Sequence, residues 1–338
     1  MGGACFLTSI PFTVRKGFTK LLTMALVVAA SILPLAACKE VPKAPLRISS
    51  SPWPGYEPLY MARDLGYFGK NTVNLFELPS SDITMESFRN RSADLATLTL
   101  DETLELLHDG MKMRVLVVMD VSNGGDAVMA APSIKKLADL KGKRIATTNI
   151  PLGFYMLSRL LDKAGVQRED VHVFPMPESA HEQFYLQGKA DAVITFEPSV
   201  TRIAAAGAHK IFDSSDIPYE ILDLLVVHDD IYQQRRKEVC VIANQWFKAL
   251  KYMKEKPDDA ARLMAKRLGV SVDEYHAMAG GIIIPSFEEN RRLLWGNPPA
   301  ITEPARKLSE VMLREKQLTR PVDITAALDS GFASCAAE

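Results

Sequence analysis

The sequence predicts an α/β protein with two lobes, mixed and mostly parallel sheets, and a helical C-terminal third. Short apolar runs alternate with amphipathic helical segments from residue 46 to about residue 232, an order typical of sheets whose strands are joined by helices. From Glu238 onward the pattern is almost wholly helical. A length of 338 residues, 47% of them hydrophobic, is enough for two domains with buried cores.

The N-terminal segment, residues 1–37, has the layout of an export signal. It contains basic residues but no Asp or Glu, and it continues into an apolar run that Pro34 interrupts. Such a run is typical of a secretory signal and is short for a membrane span. Residues 35–38, Leu-Ala-Ala-Cys, resemble the lipobox of bacterial lipoproteins, in which the cysteine carries the anchoring acyl chains. We therefore expect lipidation of Cys38 and a tether over residues 38–45; an ordinary signal with a chance cysteine is the alternative.

The other cysteines are few. Cys5 leaves with the predicted signal, so Cys240 and Cys335 remain beside the lipidated Cys38. Two thiols in a chain of this size provide neither a disulfide framework nor a metal site. Cys240 falls in a helical pattern, and we expect a small buried apolar residue there rather than a Cys240–Cys335 bridge.

The first predicted lobe covers residues 46–124 and 225–338. In the first predicted helix of this lobe, Pro58 lies near the first turn and Gly66 follows the last turn. Proline and glycine favour these positions. The predicted strands cover residues 46–51, 72–78, 93–100 and 113–121, and the predicted helices cover residues 57–69, 83–92 and 101–110. The predicted C-terminal helices cover residues 238–255, 257–268, 271–279, 286–295, 301–316 and 323–329.

The second predicted lobe, residues 125–224, repeats the alternation. One further apolar strand is predicted near residues 221–232, where the chain returns to the first lobe. The predicted strands of the second lobe cover residues 142–148, 171–176, 190–196 and 209–214, and its helices cover residues 151–166, 180–189 and 198–207.

Aromatic, hydroxyl and carboxylate side chains gather at the predicted carboxyl ends of the strands, where open α/β sheets bind ligands. Because these ends are expected to face one crevice, they predict a small-ligand site with a few placed polar groups. At Thr148 and Asn149 a helix N-terminus adds free backbone N–H groups. The candidate ligand-binding residues are Trp53, Tyr56, Glu57, Thr99, Asp101, Asp120, Asn123, Asp126, Thr148, Asn149, Glu178 and Glu197.

Several of these residues have a structural alternative. Thr148 and Asn149 are also common helix caps, and Asn123 opens a good turn sequence. Glu197 can face the positive end of a helix dipole. Trp53 can equally be packed in the core.

Motifs for other functions are missing from the sequence. The formal net charge of −1 gives no electrostatic footprint for nucleic acid. There is no Gly-rich nucleotide loop and no G-x-S-x-G nucleophile turn. The six histidines never fall three or four residues apart, so they form no helical metal pair. The sequence thus predicts neither a cofactor, nor a metal, nor an enzyme.

Four segments carry a resemblance to a known family: SPWPGYEPLYMARDLGYF (51–68), GKRIATTNIPLGFYML (142–157), GKADAVITFEP (188–198) and KQLTRPVDITAALDSGF (316–332). Together with the lipobox, they resemble the periplasmic solute-binding proteins of ABC importers, above all the nitrate/sulfonate/taurine branch. The resemblance implies a type II fold of two lobes that closes on a small molecule by hinge motion. It also implies a monomer that delivers its ligand to an ABC permease and ATPase.

The candidate residues indicate the chemistry of the ligand. They include six carboxylates and no Arg or Lys, whereas a sulfonate or nitrate site would be expected to supply a cation or many N–H donors. Aromatic rings with carboxylates instead suit an amine, through cation–π contact and ion pairing. We expect a nitrogen-containing ligand, with zwitterions included in that class; a sulfonate-like ligand is the alternative.

Two other functions fit parts of the pattern. The same fold on a lipid anchor could report ligand occupancy to a membrane signalling partner instead of a permease. A pyrimidine-synthase-like enzyme shares the fold, but the cysteine-rich motif and active-site histidines of those relatives do not appear in this sequence.

Overall fold

The computed structural model of the protein describes residues 43–334. The predicted signal, Cys38 and Cys335 lie outside the described residues. The strands are β1 (Leu46–Ser50), β2 (Val73–Glu77), β3 (Leu95–Thr99), β4 (Met113–Ser122), β5 (Asp126–Ala130), β6 (Arg144–Thr147), β7 (His172–Pro175), β8 (Ala192–Phe196), β9 (His209–Asp213), β10 (Leu222–His228) and β11 (Ile282–Ile283). The helices are α1 (Glu57–Asp64), α2 (Ser81–Arg89), α3 (Leu100–His108), α4 (Pro151–Ala164), α5 (His181–Leu186), α6 (Ser199–Ala205), α7 (Asp229–Gln234), α8 (Arg236–Glu255), α9 (Pro257–Leu268), α10 (Val272–Ala279), α11 (Phe287–Trp295) and α12 (Thr302–Arg314).

The first sheet has six strands in the order β11-β4-β10-β3-β1-β2. β1 pairs in parallel with β2 and β3, while β10 lies antiparallel between β3 and β4. The chain therefore returns from the second sheet through β10, and all of β10 lies in the middle of the first sheet.

The second sheet has five strands in the order β7-β6-β8-β5-β9. β6 pairs in parallel with β7 and β8, and β5 pairs antiparallel with β8 and β9. Its strands run from Asp126 to Asp213, inside the segment 125–224 that was expected to form the second lobe. Both sheets are mixed, as predicted, but they are not mostly parallel, because four of the strand pairs are parallel and five are antiparallel. The chain passes between the sheets after β4 and before β10.

The C-terminal helices pack against the first sheet and complete its core. Trp246 on α8 is fully buried in a cluster with Leu225 and Tyr232. α9 covers residues 257–268, the predicted bounds, with Pro257 in its first turn and left-handed Gly269 at its end. None of the helices within residues 43–334 has the length and apolar character that a membrane span requires.

Cys240 was expected to be a small buried apolar residue rather than one end of a Cys240–Cys335 bridge, and that expectation about Cys335 stays a prediction because Cys335 lies outside the described residues. Cys240 is buried on α8, as predicted, but it is disulfide-bonded. Its partner lies outside the described residues.

Three short elements were not predicted. β5 begins at Asp126, directly after the Gly124-Gly125 turn, and its five residues gave too short a pattern to separate from that turn. α7 follows β10 with no break in the apolar run, and β11 has two residues. Each of these elements depends on pairing or packing with a distant partner more than on its own propensity.

Candidate functional site

A small cavity lies where the strand ends of the two sheets meet. Its walls come from the first sheet, the second sheet and the first turn of α4, and it leaves about 20 Å³ of room, on the order of one water molecule. Entry of a ligand with several heavy atoms therefore requires the two lobes to part. The lining residues are Ser51, Trp53, Tyr56, Ser81, Thr99, Leu152, Phe196, Ile221, Asp126 and Asp223.

The loop after β1 supplies the aromatic wall. A single 3-10 turn, Pro54–Tyr56, joins β1 to α1 and buries both Trp53 and Tyr56. The Trp53 ring meets the Phe196 ring edge to face, with centroids 6.1 Å apart and planes at 82°. Since Phe196 ends β8, this contact joins the two lobes across the cavity.

The polar groups of both aromatic side chains, the Trp53 ring N–H and the Tyr56 hydroxyl, donate hydrogen bonds to carboxylates. Trp53 Nε1 donates to Asp120 Oδ2 at 3.1 Å, and the Tyr56 hydroxyl donates to Asp223 Oδ1 at 2.5 Å. A Cβ atom at Gly55 would lie 2.0 Å from Asp120 Oδ2, so only glycine allows the loop to approach that carboxylate. The stretch between β1 and α1 is therefore a platform that holds two acids in place.

Five carboxyl groups form a buried cluster, and two of them, Asp126 and Asp223, line the cavity. Asp120 on β4 and Asp223 on β10 are partners across the strand pair, so the two carboxyl groups face each other. All five side chains are almost completely buried. No Lys or Arg of the described chain lies within ion-pair distance of them. The acid cluster comprises Asp101, Glu102, Asp120, Asp126 and Asp223.

Burial without a cation disfavours the charged form of these groups. Desolvation raises the pKa of Asp126 to about 8, with Asp223 and Asp101 adding repulsion. Desolvation likewise raises the pKa of Asp120 to about 7, and burial and the facing Asp120 raise the pKa of Asp223 well above its ordinary value. These groups therefore retain protons near neutral pH, and a positively charged ligand group can replace those protons.

Thr99 and Glu102 have a second, structural role. They form a capping box at the start of α3: the Thr99 hydroxyl accepts from the Glu102 backbone N–H at 3.4 Å, and Glu102 Oε2 accepts from the Thr99 N–H at 3.0 Å. Thr99 lines the cavity, as predicted, but this cap engages its hydroxyl. The neighbouring Asp101 takes no part in the capping box and is almost completely buried.

Glu57 was expected to contact the ligand, and the structure does not support that role. Its buried carboxylate accepts two bonds from Arg267 Nε, at 2.8 and 2.6 Å, and pairs with Arg267 Nη2. Burial raises the pKa of Glu57 to about 7, although the Arg267 guanidinium opposes that rise. Glu57 is thus the anionic half of a structural ion pair between α1 and α9.

Glu197 has the structural role that was the alternative for it. Its carboxylate accepts from the Thr201 backbone N–H at 3.2 Å and from the Thr201 hydroxyl at 3.0 Å, in the first turn of α6. Glu178 is buried and accepts from Ser199 Oγ at 3.1 Å, and burial raises its pKa to about 8. Asp126 lies near enough to Glu178 to contribute to that rise, so Glu178 extends the acidic character of the second lobe.

The two candidate asparagines do not line the cavity. Asn123 belongs to the link after β4, where its backbone N–H donates to the Gly281 carbonyl at 2.8 Å. Asn149 is exposed. The turn interpretation of the Asn123 segment therefore fits the structure.

The start of α4 carries unpaired hydroxyls. Thr147 Oγ1 and Thr148 Oγ1 are buried and have no hydrogen-bond partner in the structure. A Cβ atom at Gly153 would lie 2.2 Å from Thr148 Oγ1 and 2.5 Å from Thr147 Oγ1, so both hydroxyls lie against the first turn of the helix. The helix has no side-chain cap of its own.

Sequence reasoning missed Asp223, which binds Tyr56. The sequence does contain a signal for it: Asp223 is the one acid in the apolar strand LDLLVVH. A carboxyl group in a buried strand requires a hydrogen-bonding partner, which suggests a functional or structural role. The remaining cavity residues could not be recognised from the sequence, because their place at the cavity follows from how the two lobes meet. They are Ser51, Ser81, Leu152, Phe196 and Ile221. Within residues 43–334, no group of three or more His, Cys, Asp or Glu side chains is arranged to hold a metal ion.

Comparison with known proteins identifies relatives by family and by fold. A family model described as NMT1/THI5 like matches residues 53–260. None of the curated proteins matches this sequence.

Solved structures with the same fold include binding proteins and an enzyme. The alkanesulfonate-binding protein SsuA from Xanthomonas axonopodis pv. citri, bound to MOPS, is 15% identical with a TM-score of 0.70, covering 84% of this chain and 98% of its own. The ligand-binding component of an ABC-type import system from Staphylococcus aureus, with zinc bound, is 10% identical with a TM-score of 0.73, covering 86% and 98%. The desulfurization enzyme DSZB is 17% identical with a TM-score of 0.64, covering 86% and 99%. The two-lobed fold of periplasmic binding proteins is therefore the fold of this chain.

Proposed function

This chain belongs to the NMT1/THI5-like family, and from that membership we propose that it is an exported solute-binding protein that captures a small organic cation for an ABC importer. The acid cluster carries the proposal: its five carboxyls are buried, two of them line the cavity, and in the described chain no Lys or Arg pairs with them. The ligand supplies the missing positive charge through a protonated nitrogen.

The geometry of the cavity suits an ammonium or protonated heterocyclic nitrogen. Asp126 and Asp223 line it directly, and the rings of Trp53 and Phe196 in the same lining provide the apolar contact that a carbon skeleton needs. Carboxylates bind such nitrogens through charge-assisted hydrogen bonds. A sulfonate or nitrate would instead find no cation beside these acids and would keep them in their protonated form, because a nearby negative charge disfavours ionisation of a carboxyl group.

Export and delivery complete the proposal. The lipobox at Cys38 anchors the protein to a membrane on the periplasmic side, where it acts as a monomer and hands its ligand to an ABC permease with its ATPase. The disulfide at Cys240 supports this location, because disulfides persist in oxidising compartments. The SsuA and Staphylococcus aureus structures, one a sulfonate-binding protein and one an importer component, support the role through their shared fold.

A thermal-shift screen of the purified full-length protein tests the ligand class. The panel contains primary amines, diamines, quaternary ammonium compounds and aminopyrimidines, with methanesulfonate, taurine and nitrate as contrasts. A cationic compound at about 100 times its Kd should stabilise the protein by about 2.7 kcal/mol. Stabilisation by methanesulfonate or nitrate alone would overturn the ligand class but keep the binding role, and no response to any compound would count against both.

Two matched variants locate the binding site. Asp126→Asn should weaken binding of the cation at least tenfold, because Asp126 lines the cavity and its charge is lost. Glu197→Gln removes a carboxylate that Thr201 already satisfies, so we expect less than a threefold change. Isothermal titration at pH 8 measures both. Equal affinities of Asp126→Asn and the wild type would contradict the assignment.

A further inference from the structure

The chain crosses between the two sheets twice, and the two crossings contact each other. The first crossing, residues 122–126, joins β4 to β5, and the second begins at Ser214, directly after β9, and leads to β10. Ser122 and Ser214 are almost completely buried, and their Oγ atoms lie 2.8 Å apart in a hydrogen bond that either hydroxyl can donate. Because the chain links the sheets at these crossings, any parting of the lobes turns about this hydroxyl pair.

Each hydroxyl of the pair also accepts a hydrogen bond from the backbone of the first crossing. The Gly124 N–H donates to Ser214 Oγ at 2.6 Å, and the Asp126 N–H donates to Ser122 Oγ at 3.1 Å. Buried backbone N–H groups need such partners, because an unpaired one costs free energy comparable to a lost hydrogen bond. The backbone of Asp126, which lines the cavity, is therefore supported through Ser122 by a serine of the other crossing.

The end of β9 holds the first crossing at another point. Lys210 Nζ donates to the Gly124 carbonyl at 2.8 Å and pairs with the Asp213 carboxylate at 3.1 Å. The turn Ser214–Asp216 has its own capping box, formed by Asp213 and Asp216, which does not use the Ser214 hydroxyl. The side chain of Ser214 thus acts on the first crossing and is not needed to form its own turn.

We propose that Ser214 is a positioning residue for the ligand site: with Ser122 it fixes Asp126 at the pivot between the lobes, so that the carboxylate that receives the cation stays in place while the lobes part. The inference deepens the proposed function, on which it rests for the role of Asp126 as the cation acceptor. Ser214 does not line the cavity, so its effect on the ligand passes through Asp126. An acceptor that is held in place lowers the ordering cost of binding.

Ser214→Ala tests the inference by removing one hydroxyl and keeping the turn. In the ligand-free full-length protein it should speed amide hydrogen exchange of Gly124 and Asp126 about tenfold, because their buried acceptors are lost or loosened. Ser122→Ala should speed exchange of Asp126 more than that of Gly124, whose acceptor remains. Ser122→Ala also serves if Ser214→Ala does not fold. Exchange is resolved residue by residue with NMR.

Ser309→Ala is the matched control. Ser309 on α12 is also almost completely buried, and its Oγ accepts from the Val322 backbone N–H at 3.1 Å, within the first lobe. Its loss should speed exchange at Val322 and leave Gly124, Asp126 and the ligand affinity unchanged.

Isothermal titration with benzylamine, a primary amine that is protonated at pH 8, measures the effect on the ligand site. Ser214→Ala should weaken binding about fivefold, because Asp126 is no longer held in place. The Ser122→Ala/Ser214→Ala double variant should bind about as weakly as Ser214→Ala alone, because both changes break the same hydroxyl pair. A serine with a structural role alone would reduce stability and leave the affinity unchanged.

Unchanged exchange at Gly124 and Asp126 in the folded serine variants would overturn the inference, as would equal exchange rates at these amides in Ser309→Ala. Its failure is distinguishable from failure of the proposed function. A wild type that binds benzylamine no more tightly than Ser214→Ala contradicts only the role of Ser214. Faster exchange in Ser214→Ala beside a wild type that binds no cation contradicts only the cation proposal.

Discussion

Glu57 follows Tyr56 directly in sequence, yet its carboxylate has a different environment from the acids that Trp53 and Tyr56 bind. The difference follows from helix geometry, because Glu57 is the first residue of α1 and faces α9. Arg267 reaches it there and also contacts Glu77 at 2.9 Å. Removing one partner of a buried ion pair leaves the other charge uncompensated.

Glu57→Gln should therefore reduce stability while leaving ligand affinity within about threefold of the wild type. We expect a loss of roughly 3 kcal/mol in the free energy of unfolding, because Arg267 loses its buried partner. Glu77→Gln is the matched control: Glu77 contacts the same guanidinium but is 35% exposed, so its loss should cost less than about 1 kcal/mol. Denaturant unfolding measures both. Equal losses for the two variants would show that burial does not set the strength of this pair.

Among the elements, the link between β4 and β5 joins the two lobes and depends on close backbone contact with β11. The Gly281 carbonyl accepts from the backbone N–H groups of Asn123 at 2.8 Å and Gly125 at 3.0 Å. A Cβ atom at Gly281 would lie 2.7 Å from the Gly125 nitrogen. Backbone atoms cannot rotate away as a side chain can, so this contact requires glycine.

Gly281→Ala should destabilise the protein by about 1–3 kcal/mol, because the link must shift and its two hydrogen bonds lengthen. Gly280→Ala is the matched control, since its Cβ would meet only carbonyl oxygens at 3.3 and 3.4 Å with an ordinary helical backbone. Thermal unfolding and small-angle scattering report stability and compactness. Indistinguishable variants would mean that the link tolerates movement, in conflict with the tight packing seen here.

For the whole molecule, the acid cluster couples folding to pH. Burial raises the pKa of Asp101 and Asp120 to about 7 and of Asp126 to about 8, whereas in the unfolded chain these groups titrate near 4. Between those values the folded state holds more protons than the unfolded state, so the free energy of unfolding falls as pH rises. Burial lowers the pKa of His181 to about 4, which has the opposite effect between about pH 4 and 6.5.

The ligand-free protein should lose several degrees in melting temperature between pH 6.5 and pH 9, the interval in which His181 no longer opposes the acids. Asp126→Asn should lose less over the same interval, because one of the groups with a raised pKa no longer titrates. A melting temperature that stays constant or rises for the wild type would mean that the cluster is ionised when empty. A saturating cation should also flatten the decline, since its charge replaces the protons.

Part of this architecture could be predicted from the sequence alone, and part could not. Local patterns were sufficient for the alternation of strands and helices, for the bounds of α9, and for Trp53, Tyr56 and Asp126 as cavity residues, because periodicity, caps and strand ends are written in neighbouring residues. They were also sufficient to anticipate a carboxylate-rich site without a basic residue.

Only the tertiary structure decided which acids share the cavity. Glu57 meets Arg267 across 210 positions, and Tyr56 meets Asp223 across 167. Asp120 faces the same Asp223 across the β4–β10 pair. Whether a carboxylate finds a guanidinium, a phenol or a helix N-terminus depends on how the sheets and helices pack. The sequence therefore specified the chemistry available to this protein, and the packing of its two lobes assigned each charged group its partner, because burial without a partner is costly and the partners are distant in sequence.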